Sequence, residues 1–219
     1  ERLRHDRCDR LRDGGGGGWP GRGFRTGGSI TRSYAAGNVS GGQRAGGLVG
    51  YSFKATIRDT YATGNVTGGS AVGGLLGHAS ETSVVNAYAT GVVSGESSAG
   101  RLVGRAVNAT EIVAGFFARS DSGGNQINES LGLIGDADDS ASVDGFSRGL
   151  DWEELTSLST FTEAGWDIDD EGGTGRTWRI YDGHTTPLLR SFLTLLEIEP
   201  DLDGTGEVLE NIASVTAPG

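Results

Sequence analysis

Three stretches of this sequence repeat without a gap. Ser29 to Gly50 reads SITRSYAAGNVSGGQRAGGLVG, Thr56 to Gly77 reads TIRDTYATGNVTGGSAVGGLLG, and Ser83 to Gly104 reads SVVNAYATGVVSGESSAGRLVG. Tyr34, Tyr61 and Tyr88 recur at intervals of 27 residues, and so do Leu48, Leu75 and Leu102. Self-similarity at a fixed period of this length is the mark of a repeat architecture. A fourth, looser copy follows, in which Phe117-Ala118-Arg119 stands for Tyr-Ala-Thr and Gly132-Leu133-Ile134-Gly135 for the Gly-Leu-Val-Gly end.

The apolar positions of each unit are single or paired: Ile30, Ile57 and Val84; Val39, Val66 and Val93; Leu48-Val49, Leu75-Leu76 and Leu102-Val103. Glycine every few residues excludes a helical repeat, which needs long runs of helix formers. Three short strands with glycine-rich corners fit the unit. The expected fold is therefore all-β: a right-handed parallel β-solenoid, or β-helix, of 27-residue coils. Stacked coils place identical residues in columns. Ala35, Ala62 and Ala89 are expected to point inward, and Tyr34, Tyr61 and Tyr88 to stack on the other face; strand alternation alone also admits the reverse, with the tyrosines in the core. Leu48, Leu75 and Leu102 form a further column, and Gly37, Gly64 and Gly91 are expected at corners with φ > 0.

Glycine numbers 40 of 219 residues, yet there is no three-residue period and only 4 prolines, so this is not collagen. The net charge of −11 argues against nucleic acid as a partner. No apolar run is long enough for a membrane span. The missing initial Met and signal peptide suggest a piece of a longer polypeptide, whose flanking domains would be its partners.

Tyr61-Ala-Thr-Gly-Asn-Val-Thr-Gly-Gly69 and Val72-Gly-Gly-Leu-Leu-Gly77 resemble the GLUG motif. The repeat occurs in large secreted surface proteins similar to filamentous-haemagglutinin adhesins of bacteria and archaea, and in zinc metallopeptidases that cleave immunoglobulin A. Gly165-Trp166-Asp167-Ile168, Thr177-Trp178-Arg179-Ile180 and Gly183-His184-Thr185-Thr186-Pro187-Leu188-Leu189 resemble the segment that closes GLUG arrays, with Ile168 and Thr186 departing from the usual Phe and Tyr. The resemblance implies an extracellular or cell-surface, non-catalytic region that works as a stalk or attaches cells through surface glycans or proteins of other cells.

Residues 136–195 read as a C-terminal cap. Asp151 is the expected N-cap of a short helix reaching Leu158, with Glu154 completing a capping box. Trp166 and Trp178 supply apolar area to cover the open end of the solenoid. The expected organisation is an Arg/Gly-rich segment at 1–28, repeats at 29–55, 56–82, 83–109 and 110–135, the cap, and an acidic linker or tail at 196–219.

Residues 1–25 lack the repeat pattern and hold 7 of the 18 basic residues, the lone Cys8 and the run Gly14 to Gly18. Arg2-Leu3-Arg4-His5 spelled CGC-CTA-CGC-CAC contains, one base along, the codons of Ala-Tyr-Ala-Thr. This segment therefore reads either as a basic arm or as an upstream repeat translated out of frame.

The search for chemistry yields little. His5, His78 and His184 lie at unrelated positions without zinc spacing, so no peptidase centre is expected, and no cofactor is implied. Asp59, Glu81, Glu96 and Glu111 fall at different repeat positions, which argues against the converging carboxylate pair of a glycosidase, the main catalytic alternative. The acidic runs at 136–139 and 167–171 read as solvated loops. Asp201, Asp203 and Thr205 resemble a calcium loop, but Ile212 stands where the bidentate Glu belongs, so a polar linker is the plainer reading. Sequons occur at Asn38, Asn65, Asn108 and Asn128.

Overall fold

The computed structural model describes residues 28–121, 123, 127, 130–171 and 174–193. Three strands per coil build a β-solenoid of about four coils. The first coil holds β1 (Ser29–Ala35), β2 (Val39–Ser40) and β3 (Val49–Phe53), and the second β4 (Thr56–Ala62), β5 (Val66–Gly73) and β6 (Leu76–Ser80). The third holds β7 (Ser83–Ala89), β8 (Val93–Gly100) and β9 (Val103–Val107). In the fourth, β10 (Glu111–Ala118) and β11 (Ile134–Ala137) are joined by a longer connection, and β12 (Ser142–Val143) and β13 (Arg148–Leu150) add a partial rung beyond it. Strands stack in three parallel sheets, ordered β1-β4-β7-β10-β12 with β13 also on β10, β2-β5-β8, and β3-β6-β9-β11.

Register follows the repeat. Ile30 pairs with Ile57, Ile57 with Val84, Val84 with Ile112, and Ile112 with Val143. Ile57, Ala62, Leu75, Leu76, Val84, Ala89, Leu102 and Val103 form the buried interior, and Val39, Val66, Val72 and Val93 fill a narrower lobe under the second sheet.

The glycines meet a different demand from the one expected. Gly37, Gly64 and Gly91 do not have positive φ; of the described glycines only Gly165 and Gly183, both in the cap, do. Left-handed backbone is taken by three columns of other residues: Arg32, Asp59, Asn86 and Ala114; Arg44, Ala71 and Ser98; Lys54, Glu81 and Asn108. Asp and Asn tolerate this region better than most side chains, and neighbouring rungs hold the rest in it. Glycine is required instead where backbones nearly touch. A Cβ on Gly64 would strike the Gly37 carbonyl, and one on Gly91 the Gly64 carbonyl. Inside the coil, a Cβ on Gly73 would collide with the Leu76 carbonyl and sit 2.5 Å from the Gly104 nitrogen.

The fourth copy is also shifted by one residue. Phe116, not Phe117, lies opposite Tyr88, and Phe117 lies opposite Ala89. The extra residue is absorbed at the corner before β10, where Asn108 and Ala109 are both left-handed. Phe117 therefore occupies the inward alanine position, beneath Arg101, whose guanidinium lies 5.0 Å from its ring centroid. Gly149 in the next rung leaves room for that ring.

The cap holds α1 (Trp152–Leu155), α2 (Leu158–Glu163) and a small sheet of β14 (Ile168–Asp169), β15 (Trp178–Arg179) and β16 (Leu188–Leu189). Asp151 and Glu154 form the reciprocal capping box, with Glu154 N donating to Asp151 and Asp151 N to Glu154. The single helix reaching Leu158 is instead two: a second helix starts after Ser157, with Leu158 N donating to Asp182 Oδ1 and Phe161 buried.

Two substitutions separate glycine's roles. Gly73→Ala should lower stability by about 1–3 kcal/mol, because nothing near it can yield without moving backbone. Gly42→Ala, where an added Cβ meets nothing within 4 Å, should stay within about 0.5 kcal/mol of the parent. Urea unfolding followed by circular dichroism reads both.

Candidate functional site

The tyrosine column is the most elaborate surface feature of the solenoid. Tyr34, Tyr61 and Tyr88 point away from the interior, while Ala62 and Ala89 beside them belong to it. Their rings stack at 5.0 Å with interplanar angles of 9° and 4°. This face is not open to solvent, because the cap folds along it. Trp166 and Trp178, expected over the open end, lie on the side of the solenoid: Trp178 is 6.0 Å from the Tyr61 ring and 6.2 Å from that of Tyr88, and Trp166 is 4.8 Å from Trp178. Phe192 meets the Tyr34 ring edge-on at 4.9 Å.

Polar contacts pin the cap to the tyrosine face at two points. Trp178 Nε1 donates to Asp59 Oδ1 at 3.2 Å, and Asn86 Nδ2 reaches the same oxygen at 3.3 Å. The Tyr88 hydroxyl donates to the Pro187 carbonyl at 2.6 Å. Burial, and secondarily the neighbouring Tyr61, pushes the Tyr88 phenol well above its ordinary pKa, so it stays protonated as that donor. The left-handed backbone at Asp59 aims its carboxylate outward at the indole. Pairwise aromatic packing of this kind is worth about 0.5–1.5 kcal/mol per pair beyond burial.

The other singled-out residues are scattered or already engaged. Asp59 is the indole acceptor just described, Glu96 is exposed, and His184 is exposed in the cap. Glu81 and Glu111 both line one shallow, open groove along a corner, together with Lys54, Thr56 and Ser83; there Lys54 Nζ pairs with Glu81 at 3.6 Å. Asp167 and Asp169 bind Arg176 and Arg190 within the cap, and Ser140 and Asn108 N hold the Asp138 carboxyl below its ordinary pKa. Among the described residues no cluster of three or more His, Cys, Asp or Glu could hold a metal ion, and no helix is long and apolar enough to cross a membrane. The calcium candidates Asp201, Asp203 and Thr205, with His5, Cys8 and the Asn128 sequon, lie outside the described residues.

Two of the sequons are structural ladders. Asn38 Oδ1 accepts from Asn65 N, and Asn65 Oδ1 from Val92 N, each at 2.8 Å. At Asn108 the sequon hydroxyl, Thr110, is buried, and the Asn108 amide nitrogen donates to Ser80. The asparagine ladder was available in the sequence as Asn38 and Asn65, one period apart. The Asp59–Trp178 contact, 119 residues apart, was not.

On the third sheet, Tyr51, His78, Arg105 and Asp136 form an outward column. Arg44 lies over the Tyr51 ring at 4.8 Å, Tyr51 meets His78 edge-on at 5.1 Å, and Arg105 pairs with Asp136 at 3.0 Å. Burial, then Arg44 and Arg105, lower the His78 pKa below its ordinary 6.5, against a smaller opposite pull from Asp136.

A family model described as the GLUG motif matches residues 41–67. The chain carries a GLUG motif. That match spans the end of the first coil and the start of the second, and its landmarks return one period later, from the end of the second coil into the third. No curated protein and no solved structure matches the chain.

Trp178→Ala should cost about 3–5 kcal/mol and abolish the near-UV dichroism of the cap. Trp178→Phe keeps most of the packing and loses the Asp59 bond, so its cost should be about 1–2 kcal/mol. For His78, the unfolded chain binds a proton more readily than the folded one. Stability should therefore decline as pH falls through 6.5 toward the lower folded value, and His78→Asn should flatten that decline in melting curves between pH 8 and 5.

Proposed function

We propose that this structural repeat region, with its GLUG motif and stacked coils, serves as a non-catalytic, extracellular stalk or adhesive segment of a larger surface or secreted protein. The observation that carries this reading is the use of side chains at repeat positions. The interior columns, the asparagine ladder and the tyrosine stack all bind one coil to the next. The outward Ser40, Thr67 and Ser94, on a sheet face clear of the described part of the cap, form an exposed repeated array open to contact with glycans or proteins of other cells. A rigid rod repeating small polar groups along its length suits weak multivalent attachment, where avidity replaces a deep pocket.

The polysaccharide-active alternative has one location in its favour, the corner groove that Glu81 and Glu111 both line. A third reading, the stalk of a surface peptidase, has no feature of its own in this chain.

Immobilised full-length protein should retain whole cells or a subset of arrayed surface glycans in multivalent format, at least tenfold above its retention as free chains. Substituting Ser40, Thr67 and Ser94 together by Asp should remove that retention. Equal retention by the triple variant would reject the hydroxyl face as the contact. Polysaccharide turnover lost in Glu81→Gln or Glu111→Gln would replace the adhesive reading with the catalytic one.

A further inference from the structure

The two ends of the solenoid differ in charge and share an unfinished sheet. The first coil, residues 28–55, contains Arg32, Arg44 and Lys54 and no acidic residue. The last rungs, residues 136–150, contain Asp136, Asp138, Asp139 and Asp144 against the single base Arg148. The molecule is therefore polar along its axis, positive where the stack begins and negative where it stops.

Among the described residues, both ends also leave interior columns only partly covered. Ile57, Leu75 and Leu76 are completely buried, but their first-coil copies Ile30, Leu48 and Val49 are only partly so. At the other end Val143, which continues the Ile30–Ile57–Val84–Ile112 column, is 44% exposed, and Phe146 beside it is 51% exposed. β1 and the β12–β13 pair are the two outer edges of one parallel sheet. Moreover, Ser142-Val143 stands at the repeat position of Ser29-Ile30, opposite Glu111-Ile112 as Ser83-Val84 is.

We propose that this chain associates head to tail with further copies of itself. β1 of one molecule adds in parallel to the β12–β13 edge of the next. The contact continues, on the tyrosine sheet, the parallel pairing already made between successive coils, bringing Ile30 over Val143 and the basic first coil toward the acidic last rungs. Because it joins unlike surfaces, it is heterologous, and its repetition extends the rod rather than closing a dimer. Unpaired strand edges favour such addition, and opposite end charges select this polarity over two like ends meeting. Charges separated by a rung or two still attract within about 10 Å at 0.1 M salt.

The structure supplies mild substitutions for the test. Arg32 and Lys54 share their left-handed columns with Asp59 and Glu81, so Arg32→Asp and Lys54→Glu place residues that the next coil already holds at the same φ; Lys54→Glu also gives up the exposed pair with Glu81, a small loss for so exposed a contact. At the other end Asp139→Lys alters an exposed corner. Sedimentation equilibrium of the full chain at low salt should give an average mass that keeps rising with concentration, with no fixed stoichiometry, and that falls in 0.5 M salt. The double variant R32D/K54E, and D139K separately, should each weaken association by about tenfold or more. Mixing the two variants should restore it, and unchanged melting temperatures would show that all three chains are folded. A monomer at every concentration, as would follow if residues 1–27 cover the β1 edge, overturns the proposal. So does a mass that saturates at two copies, or an association indifferent to D139K.

Discussion

Everything in this structure depends on parallel pairing of each strand with its copy one coil away. Such pairing is favourable only if the unit length is held constant, since a one-residue slip turns the inward side chains outward. The 27-residue period is that constraint made visible. Once it holds, the side chains fall into columns. Small residues can be used inside, aromatic rings can stack flat outside, and an asparagine can repeat the same hydrogen bond from rung to rung. Where the spacing departs, at Asn108 and Ala109, the chain takes up the extra residue in a corner and shifts the following pair of phenylalanines by one position. The shift delivers Phe117 to the column of inward alanines.

The same pairing explains why glycine is so abundant. Flat parallel coils with a narrow cross-section bring carbonyls of neighbouring rungs, and of opposite walls, to contact distance. Any side chain at Gly64, Gly73 or Gly91 would occupy space already filled by backbone. Turning the corner is a less exclusive task, and Lys54, Glu81 and Asn108 accomplish it with side chains in place. Local strain of about 1–3 kcal/mol per left-handed residue is held by the stacked rungs above and below.

A second core, lying outside the solenoid, organises the C-terminal region. The tyrosine stack presents an apolar strip that would otherwise face water, and the cap covers it with Trp166, Trp178, Phe161 and Leu189. Asp59 and Tyr88 orient this contact, since each satisfies a buried polar group across the junction. The cap thus stiffens the rod laterally and leaves both strand edges of the tyrosine sheet without partners among the described residues. Axial charge and these edges give the molecule a direction, a property that a smooth repeat array lacks.

The solenoid class, the strand count per coil, the inward alanines and the outward tyrosine stack could be read from the sequence, because a strict period converts residue identity into spatial neighbourhood. The capping box of α1 was legible for a similar reason: its signal is local. Tertiary structure alone decided that Trp166 and Trp178 pack along the flank, that Glu81 and Glu111 share a groove, and that Phe116 rather than Phe117 takes the tyrosine position. Those outcomes depend on contacts between distant segments, such as Asp59 with Trp178, which no periodicity encodes. The same holds for the glycines. The sequence by itself determined where they recur, but only the approach of one backbone to another determined that at Gly64, Gly73 and Gly91 space, not a positive φ, is what they provide.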